Sequence, residues 1–240
     1  MGGAGHAVVT GASSGIGAAI AARLLREGWT VTGFSRTAPA QAAPGFSHRA
    51  VDLQDLDRLP EALEGLRPTA LVHAAGLMRA GTLGTLDAEA GRTLWRLHVD
   101  AAFLLADTLA PRLPDGGRIV LIGSRTAAGA AGRSQYAASK AALVAMARSW
   151  ALELAPRGIT VNVVAPAATN TPMLHDPARS ALPPRKPPIG RFVEPEEVAA
   201  MIAYLRAQGF GCLKEFDFPH KRAALMMLSR EAFFERCGMR

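Results

Sequence analysis

VVTGASSGIGAAIA, residues 8–21, decides the fold of this chain. It runs from a β-branched apolar stretch into a helical pattern, and three glycines, Gly11, Gly15 and Gly17, stand at the join. A turn that brings backbone close to a phosphate tolerates no side chain. The first amides of the following helix then offer N–H groups and a positive dipole end to an anion. Glycines alone make an ordinary turn. Placed after a first strand and before a helix, they read as a dinucleotide-binding element formed by Gly11, Ser13, Ser14, Gly15, Ile16 and Gly17.

Working outward, strand-like runs alternate with helical patterns. HAVVT (6–10), WTVTGFS (29–35), FSHRAVDL (46–53), TALVHAAG (69–76), GRIVLIGS (117–124) and ITVNVVAP (159–166) read as six strands. Between them, residues 15–28, DLDRLPEALEGL, 87–113 and 134–156 read as helices, and 194–208 as another after the last strand. The strands are nearly continuous apolar runs, as expected when helices cover both faces of a parallel sheet. The fold class is therefore α/β, a doubly wound Rossmann-like sheet. No internal repeat or linker divides it. Residues 1–207 read as one dinucleotide-binding domain that includes the catalytic site, and 208–240 as an atypical tail packed on or beside it. Residues 172–188 hold Pro172, Pro177, Pro183, Pro184, Pro187 and Pro188 and read as a loop.

The totals are consistent with this. At 240 residues and 49% hydrophobic content, the chain suits one large domain. Its net charge is +7, but the arginines are scattered, with no basic run and no aromatic interleaving, which argues against nucleic acid. No apolar run reaches the ~18 residues of a membrane span. The N-terminus enters a strand pattern directly, so no signal peptide is expected. Cys212 and Cys237 give no disulfide framework, and a reducing cytoplasm is the expected compartment.

A second stretch, RSQYAASKAAL (133–143), puts Tyr136 and Lys140 four residues apart, one helical turn, on one face. A phenol has an ordinary pKa near 10, too high for efficient proton transfer at neutral pH, and a neighbouring ammonium favours the phenolate. Ser124 stands at the end of the fifth strand, on the carboxyl edge where open α/β sheets bind ligands.

TGASSGIG with YAASK resembles the short-chain dehydrogenase/reductase family, over about residues 5–207, and similar chains are often called 3-oxoacyl-carrier-protein reductases. Asp52-Leu53, the HAAG turn (73–76), Ser124 and NVVAPAATNTPM (162–173) extend the match. The resemblance implies a nicotinamide cofactor held by the glycine turn, Asp52, Leu53, Ala74, Ala75, Gly76, Tyr136, Lys140, Pro166, Thr169 and Thr171. It also implies Tyr136 as general acid/base, Lys140 on the nicotinamide ribose and Ser124 on the substrate oxygen. At the end of the second strand stand Ser35 and Arg36, where an acidic residue would mark an NAD preference. A neutral serine and a guanidinium favour NADP(H) over NAD(H).

Two departures stand out. The family usually has an asparagine in the long helix before the fifth strand, holding a water that connects to the lysine. HVDAAFLL places His98 there, either replacing that role or sitting as a satisfied helix histidine with an altered relay. His73, where asparagine is common, reads as structural. The second departure is the tail. The expected seventh strand and glycine pair are replaced by GFGCLKEFDFPHKRAALMMLSREAFFERCGMR, which reads as a frameshift or an unrelated replacement. CLKEFDF offers a strand and HKRAALMMLSREAFFERC a helix.

Leu77, Met78, Ala127, Met173 and Leu174 are expected to line a pocket for a small carbonyl or alcohol, with Arg79 and Arg125 nearby. The expected enzyme moves a hydride between NADP(H) and a carbonyl or secondary alcohol, as a homodimer or homotetramer formed through the two long helices. An NAD-dependent sugar, cyclitol or steroid alcohol dehydrogenase, and a family member that binds nucleotide without turnover, are the alternatives.

Overall fold

The computed structural model of the chain describes residues 5–39, 43–176, 183–208, 215–218 and 221–224. Six strands, β1 His6–Thr10, β2 Thr30–Ser35, β3 Phe46–Ala50, β4 Ala70–His73, β5 Arg118–Ile122 and β6 Thr160–Val164, form one parallel sheet in the order β3-β2-β1-β4-β5-β6. The chain moves outward from β1 through β2 to β3, then crosses back to lay β4 on the other side of β1. Loops leaving β1 and β4 thus diverge, and the crevice between them is the switch point at which such sheets take ligands.

Burial explains the continuous apolar runs. All of β4 is buried, and β1 and β5 are buried after their first residue. One face packs Leu71 and Ile119 under Leu105, Leu109 and Leu143. The other packs Val9, Val72 and Val120 under Ile20, Leu24, Val198 and Ile202. Helix α1 (Gly15–Arg26) and α6 (Pro195–Gln208) cover that second face.

The expected strand over 46–53 stops at Ala50, and the helix expected after it is short. It comprises a 3-10 turn at Leu56–Arg58 and α2 at Leu59–Ala62. Gly65 follows at φ 71 and ends the helical run.

The helix expected over 87–113 is one rod with a defect. Helix α3 (Ala88–Trp95), capped by the Asp87 carboxylate on the N–H groups of Glu89 and Ala90, runs into a π-turn at Arg96–Asp100. Helix α4 (Ala101–Leu109) and a 3-10 turn at Ala110–Arg112 follow. Leu97, His98 and Val99 are all buried. Three successive residues span more arc than the single stripe of a regular helix turns inward, and the wider turn accommodates them.

Helix α5 (Ser134–Leu154) buries Tyr136, Lys140, Leu143 and Ala147 on one face, and ends through a 3-10 turn at Gly158, φ 62. The proline-rich segment begins not as irregular loop but as a 3-10 turn, Pro172–His175. A bridge between Thr169 and Val193 ties its two ends. Pro177 lies outside the described residues.

In the tail, β7 (Glu215–Phe218) pairs antiparallel with β8 (Lys221–Ala224) as a separate two-stranded sheet, so the described part of CLKEFDF is a strand that does not extend the main sheet. Residues 221–224, expected to begin a helix, are extended instead. The rest of that expected helix, both cysteines and Gly238 lie outside the described residues.

Candidate active site

The glycine turn is shaped by exclusion. Gly11 sits at φ 68, and a Cβ there would come within 2.9 Å of the Ala75 backbone. At Gly17 a Cβ would collide with the Gly11 carbonyl oxygen. Only bare backbone lets α1 start this close to β1, and the start of α1 lines the cleft. This is the cradle a dinucleotide phosphate needs.

Across the cleft, α5 supplies side chains. Tyr136 and Lys140 are buried, and the Lys140 amine lies 6.0 Å from the centre of the Tyr136 ring. Lys140 Nζ donates to the Ile122 carbonyl at 2.8 Å. Burial pushes the Lys140 ammonium down to about 7. Ser124 caps the turn Arg125–Ala128, its Oγ accepting from the Thr126 N–H at 3.1 Å, which leaves the hydroxyl proton to donate.

The states of His73, at the end of β4, and of His98, in the π-turn, are set by hydrogen bonding. Thr10 Oγ1 accepts from the N–H groups of Ala74 and Ala75, each at 3.0 Å, so its own proton goes to His73 Nδ1 at 3.0 Å. The proton of the His73 ring is then on Nε2, which faces the Leu97 carbonyl without closing a well-formed bond. Burial first, and the Lys140 cation second, push His73 down to about 3. His73 is therefore structural, as its sequence position implied: it fixes the HAAG turn to β1.

His98 is 0% exposed. Its Nε2 accepts from the Leu77 N–H at 3.1 Å. Ser139 Oγ gives its proton to the Tyr136 carbonyl at 2.9 Å, so it receives one from His98 Nδ1 at 2.9 Å. Burial, with the Lys140 cation next in size, holds His98 well below its ordinary value. Both ring nitrogens are occupied in the neutral form.

One cavity of about 310 Å³ brings together most of the expected residues. Gly11, Ser14, Gly15, Ile16, Gly17, Ala74, Ala75, Gly76, His98, Ser124, Tyr136, Lys140, Pro166, Thr169 and Thr171 line it. Leu77, Met78, Met173 and Leu174 line it as expected and Ala127 does not; of the two arginines expected nearby, Arg125 reaches the lining and Arg79 does not. The turn after Ser124 carries Thr126 to the cavity in place of Ala127, and Arg79 lies 3.8 Å from Asp176 in an exposed ion pair.

Ser13, Ser35, Arg36, Asp52 and Leu53 fall outside this cavity. Asp52 lines a separate depression with Arg49, Asp55 and Arg58. The Leu53 side chain is 4% exposed and packs in the core, so only its backbone could meet a ligand. Ser35 Oγ donates to the Thr37 carbonyl at 2.8 Å and lies 3.0 Å from His48 Nε2. Its hydroxyl is spent on shaping the turn, which leaves the exposed Arg36 as the cation of that strand end.

Sequence reasoning missed the Ile122 carbonyl, Ser139 and His48, and gave Thr10 no role. Ser139 sits inside the YAASK stretch and Thr10 inside TGASSGIG, so adjacency to a motif was the available signal. His48 becomes a partner only through sheet register, which pairs it with Gly33, and the Ile122 carbonyl only where the Lys140 side chain of α5 meets the end of β5.

Among the described residues no helix is long and apolar enough to cross a membrane, and no cluster of His, Cys, Asp or Glu could hold a metal ion.

Comparison with known proteins agrees with this geometry. The family model described as short chain dehydrogenase matches residues 5–180. The 3-oxoacyl-acyl-carrier-protein reductase FabG of Thermotoga maritima is 34% identical over 218 residues, covering 82% of this chain and 88% of that protein. The crystal structure of a blue fluorescent protein from a metagenomic library, in complex with NADPH, superposes with TM-score 0.71 at 32% identity, covering 83% of this chain and 89% of that one. That of BdcA in complex with NADPH gives 0.73 at 32% identity, covering 84% and 86%.

Proposed function

The chain belongs to the short-chain dehydrogenase/reductase family of NAD(P)-dependent oxidoreductases, and from that premise we propose that it moves a hydride between NADP(H) and a small carbonyl or secondary alcohol, with Tyr136 as general acid/base. The observation that carries this reading is the meeting of Tyr136, Lys140 and Ser124 with the glycine turn in one cavity. The bound nicotinamide supplies or takes the hydride. The glycine turn would hold its pyrophosphate, and Lys140, with one N–H on Ile122, has further N–H groups for a ribose hydroxyl.

In the reductive direction Tyr136 gives its phenolic proton to the carbonyl oxygen, and Ser124 donates a hydrogen bond to the same oxygen. In the oxidative direction Tyr136 takes the alcohol proton. Arg36 answers a 2′-phosphate. Residues 1–207 serve as one domain for cofactor and chemistry, working in the cytoplasm as a homodimer or homotetramer. Trp95, Phe103 and Leu152, 45%, 51% and 53% exposed on α3, α4 and α5, support an apolar subunit contact.

The first test is titration of the purified protein with NADPH and with NADH, followed by nicotinamide fluorescence, and then a panel of ketones. Tighter NADPH binding with turnover of a ketone supports the reading. Tighter NADH binding moves the assignment to an NAD-dependent alcohol dehydrogenase. Binding without turnover on the panel favours a nucleotide binder.

A further inference from the structure

The rod formed by α3, the π-turn and α4 reaches the active site through one side chain. His98 lies in the π-turn, with no exposed surface. Its ring joins three elements: the Leu77 N–H after β4, Ser139 on α5, and the Tyr136 ring, which it meets edge-on at 5.6 Å and 82°. Ser139 in turn donates to the Tyr136 carbonyl. A Cβ on Gly76 would lie 3.1 Å from His98 Nε2 and 3.6 Å from Lys140 Nζ, so the ring also sets how close the turn approaches the lysine.

A group that relays protons needs one nitrogen that can take a proton and another that can release it. Here Nε2 is held as an acceptor by a backbone N–H, and Nδ1 is held as a donor by a hydroxyl whose own proton is committed elsewhere. A backbone amide does not surrender its proton, so reversing the tautomer would set two N–H groups against each other at Leu77 and draw the Ser139 proton off the Tyr136 carbonyl.

We infer that His98 is a positioning residue, fixed as its Nδ1–H tautomer, that holds Tyr136 and the Leu77 amide in register across the cleft and passes no proton. Its role rests on the reductase reading, since Tyr136 is the group it places. The same three contacts make Leu77, which lines the substrate side of the cavity, dependent on the π-turn.

Two conservative variants divide the clamp. In His98→Gln the side-chain carbonyl reaches the place of Nε2 and keeps the Leu77 bond. In His98→Asn the amide nitrogen reaches the place of Nδ1 and keeps the Ser139 bond. His98→Ala keeps neither. With NADPH and ethyl acetoacetate as the probe ketone, positioning predicts kcat lower by about 10- to 100-fold in His98→Ala, intermediate losses in Gln and Asn, and NADPH affinity within about twofold throughout. It also predicts a kcat–pH profile of unchanged shape in His98→Gln.

A profile that loses one ionisation in His98→Gln, or a kcat untouched in His98→Ala, overturns the inference. Nitrogen-15 NMR of histidine-labelled protein tests the tautomer without turnover, with the His98 signal identified by its loss in His98→Gln. An Nδ1–H ring is expected from pH 6 to 8. An Nε2–H or a titrating ring overturns the inference even if the protein reduces no ketone. A fixed Nδ1–H ring in a protein that turns over nothing leaves the clamp standing and removes the reductase reading instead.

Discussion

The glycine turn between β1 and α1 meets the cleft with bare backbone, whereas α5 meets it with side chains. On the first wall every useful group is an amide, and the residues are chosen so that nothing stands in front of it: Gly11 at φ 68, Gly17 against the Gly11 carbonyl. On the second wall the helix backbone is consumed by its own hydrogen bonds, and Tyr136 and Lys140 project from one buried stripe. The difference teaches a division of labour. Changes to the first wall should fall on cofactor binding and on the fold, and a change at Tyr136 on the second wall should fall on turnover.

The largest expected effect tests that division directly. Tyr136→Phe keeps the ring against His98 and Leu94 but removes the proton, so kcat should fall by about 10²- to 10⁴-fold while NADPH titration is unchanged. A parallel loss of NADPH affinity would mean that the two walls are not separable. Gly17→Ala should act the other way. Relief of its clash requires α1 to move away from β1, at about 1–3 kcal/mol, read as a lower Tm and weaker NADPH binding. Unchanged NADPH affinity there would show that the turn does not set the phosphate site.

The buried histidines sharpen the comparison on the pH axis. His73 titrates near 6.5 when unfolded and at about 3 when folded, so the unfolded chain binds more protons between those values. Stability should therefore be lost as pH falls from about 6.5 toward 3, by as much as roughly 5 kcal/mol from this group. In His73→Asn, denaturant midpoints measured across that window should fall less steeply than in the parent, and equal slopes would show that His73 is not held neutral. The smallest effect belongs to the rim of the first wall. Arg36→Ala should weaken NADPH binding about tenfold and NADH binding little, and equal losses would remove Arg36 as the 2′-phosphate group.

These walls differ in legibility too. The first could be read nearly to the residue: β1 occupies 6–10 as expected, and α1 starts at Gly15, because glycine spacing between a strand and a helix admits few backbone paths. Tyr136 and Lys140 were also legible, since a four-residue step on a helix fixes their common face. What lay between them was not. No glycine or proline marks the π-turn at Arg96–Asp100, and apolar periodicity does not register a single wider turn inside a long helix. The alternatives for His98 stayed open because its state is set by Leu77 and Ser139, which come together only after β4 and α5 have packed. Ser35 was read as a neighbour of the cofactor, but its hydroxyl bonds within its own turn, a choice that depends on His48 from the adjoining strand.

The π-turn has a consequence for how this chain can change over generations. A turn of that kind holds one residue more than the α-helix would need to cover the same length. Removal of a single codon within 96–100 would let the rod close into ordinary helix, with Leu94 and Leu105 still seated in their cores. The chain would then fold around an intact sheet while its side-chain wall lost its brace. An alignment would record this as a one-residue gap in the middle of a helix, far in sequence from Tyr136.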